Sequence, residues 1–114
     1  SVEVIEGFKK IYKAKRRIKD ELKKLYNYKC QICGDNFENP YGVDITEGHH
    51  IEQLAKTRND KIENIIIVCP NHHTAIEKSK AKYKPTSNSF IFPNNNFELT
   101  IKLNYHLKRL NNLN

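Results

Sequence analysis

Long apolar runs are missing from this 114-residue sequence. No window approaches the roughly 18 consecutive apolar residues of a membrane-spanning helix, and the first residues lack the apolar stretch of a secretory signal. The expectation is therefore a protein that neither crosses a membrane nor is secreted. Cysteine is scarce as well, at three residues. An odd number cannot all pair, which excludes a miniprotein stapled only by disulfides. Cys30 and Cys33 frame a two-residue gap and Cys69 lies far downstream. That placement suits metal thiolates in a reducing compartment, so a cytoplasmic location is expected. Tryptophan is absent, which counts against a basic helix lying in a membrane interface. With a mean hydropathy of −0.75, the chain can build a small core but not a large one.

Positive charge is plentiful, and it is segregated. The net charge of +7 hides a basic stretch at 1–29, an acidic middle at 30–77 with eight acidic and three basic side chains, and a second basic stretch at 78–114. Cationic flanks around a cysteine- and histidine-bearing centre fit a polyanionic partner, with nucleic acid the foremost. Lysine-rich helices are also often just solvated faces, and charge alone does not separate the two.

Residues 3–26 carry apolar side chains at three- and four-residue steps, among them Ile5, Phe8, Ile11, Ile18, Leu22 and Leu25, and are expected to form an amphipathic basic helix. Residues 30–42 are rich in turn formers and read as loop. A short strand is expected within 43–51, and Ile65-Ile66-Ile67-Val68 is the best strand signal in the chain. Pro70 follows, and Asn71 is a plausible cap for a helix from His72 to Lys82. Phe90-Ile91-Phe92, a turn at 93–96, and the alternation Phe97, Leu99, Ile101, Leu103 predict a hairpin. A short helix is expected in 104–113. The abundant asparagines have no evident role, and there is no internal repeat. The fold class is α+β, divided into a helical arm (1–29), a metal-stapled core (30–84) and a C-terminal hairpin and helix packing on that core (85–114).

Four groups have zinc-ligand character at zinc-ligand spacing: Cys30-x-x-Cys33 and Cys69-x-x-His72. A two-residue gap turns the backbone enough for both side chains of a pair to converge on one tetrahedral metal. Such a structural zinc would join segments far apart in sequence and replace core that a small domain lacks. Buried free thiols and a surface histidine are the bland alternative. Two further features lie close by: the adjacent pair His49-His50, and His73 directly after His72. Neighbours on a strand face opposite ways, so His49 and His50 cannot both bind one metal there. One can hold a metal while the other serves as a general base, since imidazole titrates near neutrality. Taken alone, a His-His pair is as readily a solvated one.

The blocks Cys30-Gln31-Ile32-Cys33-Gly34, Gly48-His49-His50-Ile51 and Glu63-Asn64 through Cys69-Pro70-Asn71-His72-His73 occur in this order and with suitable gaps. Over about residues 28–78 the sequence resembles the HNH nucleases. The resemblance implies a ββα-metal (His-Me finger) core with two strands, the second at 65–68, and a helix from His72. It implies that His50 is the general base and that His49 and His73 bind the catalytic divalent metal, Mg2+ or Mn2+. Asn64 would hold the loop that aims the base. Glu77, one helical turn after His73, matches a third ligand of some members and is equally readable as a solvated side chain. His72 stands where many zinc-stapled members have a fourth cysteine, which leaves open a swap of roles between His72 and His73.

These readings converge on a metal-dependent DNA endonuclease, of the restriction or other defence type or a nuclease domain of a larger parent chain. Lys9, Lys10, Lys13, Arg16, Arg17, Lys78, Lys80 and Lys82 would contact the phosphates of double-stranded DNA, and a homodimer would allow both strands to be cut. A homing or phage-type nicking enzyme, an inactive zinc-stapled nucleic-acid-binding module and a zinc-bearing protein-interaction domain are the competing readings.

Overall fold

The computed structural model describes residues 17–52 and 61–107. Helix α1 (Ile18–Leu25) is followed by a turn at 26–28 and the cysteine knuckle. A single helical turn α2 (Glu38–Tyr41) leads to strand β1 (Glu47–His50). A 3-10 turn (Ile62–Asn64) runs directly into strand β2 (Ile65–Val68), and helix α3 (Pro70–Ser79) follows. Strands β3 (Lys82–Lys84), β4 (Ser89–Phe92) and β5 (Phe97–Thr100) complete the elements. Mixed helix and strand agree with the α+β expectation. Among the described residues no helix is long and apolar enough to cross a membrane.

Strand β2 lies between two apolar clusters. Ile65 and Ile67 pack with Leu22 and Tyr26 of the α1 region and with Ile62. Ile66 and Val68 turn the other way, into a cluster with Cys30, Ile32, Cys69, Ile76, Phe90, Ile101 and Leu107. Burial on both faces explains why this strand is a continuous β-branched run rather than an alternating one. Its backbone is satisfied on both edges. On one side β1 pairs with it antiparallel, His49 opposite Ile66 and His50 opposite Ile65. On the other, Gln31 N–H donates to Ile67 O at 2.8 Å and the Gln31 side-chain carbonyl accepts from Ile67 N at 2.8 Å. The Gln31 amide nitrogen and backbone oxygen bind Leu103 O and the N–H groups of Lys102 and Leu103. One knuckle residue thus ties β2 to the C-terminal segment.

His106 completes that edge. Its Nε2 lies 2.7 Å from Ile65 O and its Nδ1 2.6 Å from the Tyr26 hydroxyl. A carbonyl only accepts, so Nε2 carries the proton and Nδ1 accepts from Tyr26. The Tyr26 oxygen in turn accepts from the N–H groups of Tyr105 and His106. Burial holds the His106 imidazole down at about 4, against the opposing pull of the Ile65 and Ile62 carbonyls.

Several expectations need correction. Of the helix expected over 3–26, residues 3–16 lie outside the described residues, and the described part ends at Leu25 because Asn27 and Tyr28 adopt positive φ. Helix α3 starts at Pro70, not His72, with Cys69 rather than Asn71 at the N-cap. Proline is favoured at the first helical position, where its fixed φ is already helical and its missing N–H is not needed. The helix also ends sooner: Lys80 takes the left-handed conformation, and Lys82–Lys84 pairs with β4 as a third strand of the hairpin sheet. That sheet, ordered β3-β4-β5, takes one strand from before residue 85 and two from after it. Tyr83 packs on Phe90 with ring centroids 5.5 Å apart, which anchors the strand. The expected hairpin is present, with β4 and β5 joined through a turn at 93–96. The asparagines do have roles: Asn27, Asn88 and Asn96 occupy positive-φ positions that asparagine tolerates better than most residues. Of the helix expected in 104–113, residues 108–113 lie outside the described residues.

Because His106 binds a proton more weakly folded than unfolded, the unfolded state takes up the proton as pH falls below about 6.5, and the folded state only near 4. Its contribution is complete above the unfolded value and is lost between those limits, amounting to roughly 3 kcal/mol. Urea denaturation at pH 7, 5.5 and 4 should show this loss, and His106→Gln should show a shallower one. Equal slopes in both proteins would contradict the assignment.

Candidate functional site

The knuckle is a tight reversal. Gly34 N–H donates to Cys30 O at 2.8 Å, Cys30 N–H donates to Asp35 O at 3.0 Å, and Lys29 bridges Asn36. Gly34 has a φ of +78°, a left-handed conformation that favours glycine, and a Cβ there would also crowd the flexible Lys102 stem at 3.2 Å. Opposite, the β2-to-α3 junction presents Cys69 and His72. The donor atoms of Cys30, Cys33, Cys69 and His72 all lie within 4.8 Å of one another. His72 Nδ1 is 3.3 Å from Cys69 Sγ and 3.8 Å from Cys30 Sγ. A tetrahedral zinc with bonds of about 2.0–2.3 Å separates its donors by roughly 3.3–3.8 Å, so this group fits the ion. Burial pushes the Cys33 thiol up to about 12 and raises that of Cys69, and it lowers the His72 imidazole. Without metal these thiols keep their protons at neutral pH, and binding must displace them.

His73, one residue on, faces a different set of groups. The donor atoms of His49, His73 and Glu77 form a second cluster within 4.8 Å. Glu77 Oε1 stands 3.2 Å from His49 Nδ1 and 3.3 Å from His73 Nε2, and the two imidazole rings meet edge-on at 5.1 Å. Spacings near 3.2 Å are those of neighbouring donors on a metal with bonds of about 2.0–2.2 Å. Burial holds His49 below the ordinary imidazole value, against the attraction of Glu77. A neutral ring is the form that ligates. Register explains the meeting: β1 pairs with β2, β2 runs into α3, and α3 packs on both strands.

His50 is not part of this donor cluster, although it is next to His49 in sequence. It lines a cleft together with His49, Glu77, Lys80 and Lys82, and Ile51, Ile76 and Ala81 complete the lining. Asn64 is buried beneath the chain that leaves His50. Its side-chain oxygen accepts from Glu52 N–H at 2.7 Å, its amide donates to Glu52 O at 3.0 Å, and its backbone oxygen accepts from Ile51 N–H at 2.8 Å. Both residues after His50 are therefore clamped by Asn64. Of the basic residues expected to meet DNA, Lys80 and Lys82 line the cleft, Arg17 and Lys78 are exposed elsewhere, and Lys9, Lys10, Lys13 and Arg16 lie outside the described residues.

The sequence reading missed Glu47, whose Oε1 is 3.1 Å from His73 Nδ1. A signal existed: Glu47 and His49 are two residues apart on one strand and so share a face.

Residues 30–79 match the family model for HNH endonuclease. The match covers the segment that holds the three sequence blocks, and it supports a nuclease. Among curated proteins the chain is similar to anaredoxin of Nostoc sp. (strain PCC 7120), 25% identical over 67 residues that cover 59% of this chain and 80% of that protein. No solved structure gives a significant match.

Zinc affinity should climb with pH through neutrality and beyond, because each metal taken up releases thiol protons held by burial. Chelator competition at pH 6, 7 and 8 measures this. Cys69→Ser should lose most bound zinc and melt earlier, and an unchanged zinc content would show that the four groups are not one site.

Proposed function

We propose that this chain is a metal-dependent endonuclease that hydrolyses phosphodiester bonds of DNA at the cleft between β1, α3 and β3. The supporting observation is that two members of a three-donor cluster, His49 and Glu77, line one cleft with a separate histidine and two lysines, and the third member, His73, adjoins them. The β1-β2 pair with α3 packed on it is read as the ββα-metal core of the family. His49, His73 and Glu77 would hold the divalent cation, Mg2+ or Mn2+ in this reading. When bound there, such a cation supplies Lewis-acid stabilisation of the negative charge that builds on the phosphate and the leaving oxygen.

The other roles belong to the protein. Phosphodiester hydrolysis is slow because water is a poor nucleophile and an alkoxide a poor leaving group. His50 takes the proton from the attacking water, acting beside the cluster rather than within it. Asn64 fixes the backbone of residues 51 and 52 and with it the approach of His50. Lys80 and Lys82 bind phosphate oxygens and seat the duplex, which makes binding sensitive to salt. The zinc group Cys30, Cys33, Cys69 and His72 holds the knuckle to the start of α3, so that His73 reaches His49. A restriction or other defence setting is part of this reading.

Plasmid cleavage by the purified protein with added Mg2+ or Mn2+, beside His50→Ala, tests the proposal. Metal-dependent nicking or linearisation is expected, reduced about 10²- to 10⁴-fold in the variant while zinc content and DNA binding persist. Undiminished cleavage by His50→Ala would remove the base. Absence of cleavage with any metal, with DNA still bound, would make the chain a binding module.

A further inference from the structure

Glu47 has no place in the mechanism above, yet it touches one of the metal-donor side chains. Its Oε1 lies 3.1 Å from His73 Nδ1, while His73 Nε2 lies 3.3 Å from Glu77 Oε1 on the other side of the ring. A neutral imidazole has one N–H and one lone pair, and an ionised carboxylate only accepts. Glu77 is likewise only an acceptor, so without metal the two carboxylates compete for the ring proton; with a cation on Nε2 beside His49 and Glu77, the proton must sit on Nδ1, where Glu47 accepts it.

Geometry makes the contact more than a chance surface pair. Glu47 and His49 occupy one face of β1, two residues apart, and His73 sits in the first turns of α3, which packs against that strand. Both side chains of β1 reach the same ring: Glu47 bonds its Nδ1, and the His49 ring meets it edge-on at 5.1 Å. Glu47 itself is not a member of the donor cluster, so it stands one shell behind it. Its register partner is Val68, directly before Cys69, so the strand that sets the zinc group also sets this contact.

We propose that Glu47 is a positioning residue of the cleft, orienting His73 and fixing its tautomer so that Nε2 is the atom that binds metal. This deepens the reading of His49, His73 and Glu77 as a metal site and rests on it. Outer carboxylates that accept from a ligating imidazole typically affect metal affinity 10- to 100-fold.

The test is calorimetric titration of Ni2+ into the zinc-loaded protein, with Glu47→Ala and Glu47→Gln. Nickel is a suitable probe because imidazole ligands favour it. Glu47→Ala should bind Ni2+ about 10- to 100-fold more weakly than wild type, and Glu47→Gln, whose amide oxygen still accepts from Nδ1–H, should recover much of that loss. Imidazole nitrogen NMR with both sites filled by diamagnetic Zn2+ gives a second readout, with His73 metal-bound at Nε2 and protonated at Nδ1 in wild type, and partly in the reversed Nε2–H form in Glu47→Ala. Wild-type nickel affinity in Glu47→Ala, or an Nε2–H tautomer in the wild type, would overturn the proposal. So would a wild-type protein that takes up no second metal. None of these readouts requires DNA cleavage. A protein that binds nickel as expected but leaves plasmid intact would overturn the nuclease reading while supporting this one.

Discussion

Ile65–Val68 is buried on both faces, and every other feature of the structure answers to that constraint. An interior strand must have all its backbone polar groups paired, since an orphaned group costs as much as a lost hydrogen bond. One edge is taken by β1. The other is taken by two residues far apart in sequence, the backbone and side chain of Gln31 in the knuckle and the side chain of His106 near the C-terminal end of the described segment. The central strand therefore gathers the knuckle, helix α1 and the C-terminal segment around itself. Its register is fixed as well: a slip of one residue would exchange the Ile65/Ile67 face for the Ile66/Val68 face and would displace Cys69.

The site follows from where that strand stops. Val68 is the last residue of β2, Cys69 caps α3, and Pro70 starts the helix at once. Helix geometry then sends the successive side chains of His72 and His73 about 100° apart, so adjacent histidines serve different partners. His72 meets the thiols and His73 meets His49 and Glu77. A sulfur-rich group and an imidazole-carboxylate group thus stand side by side, and their donor types favour different ions.

Much of this was legible in the sequence. The two short-spaced pairs declared Cys30, Cys33, Cys69 and His72 by donor type and spacing, whereas His49, His73, Glu77 and Asn64 were assigned their roles only through the resemblance to the HNH nucleases. The limits of α3 were less legible, since Asn71 is a stronger cap by type than Cys69 while Pro70 fixes the start. Strand β3 was hidden because three residues with one apolar centre, Tyr83, carry too little period to read. Gln31 and His106 could not be found, because each acts through backbone groups of β2 that carry no sequence signal. Glu47 lay in between: strand alternation placed it beside His49, but only the fold brings it to His73.

The division of His72 and His73 between two metal centres is the central claim, and cobalt absorption tests it most directly. Co2+ is titrated into the metal-free wild type, His72→Ala and His73→Ala, and the thiolate charge-transfer and tetrahedral bands are followed. The account predicts a strong thiolate spectrum from the tighter site that persists in His73→Ala and is weakened in His72→Ala, with a second, sulfur-free uptake that only His73→Ala abolishes. A thiolate spectrum that survives His72→Ala unchanged and collapses in His73→Ala would contradict it.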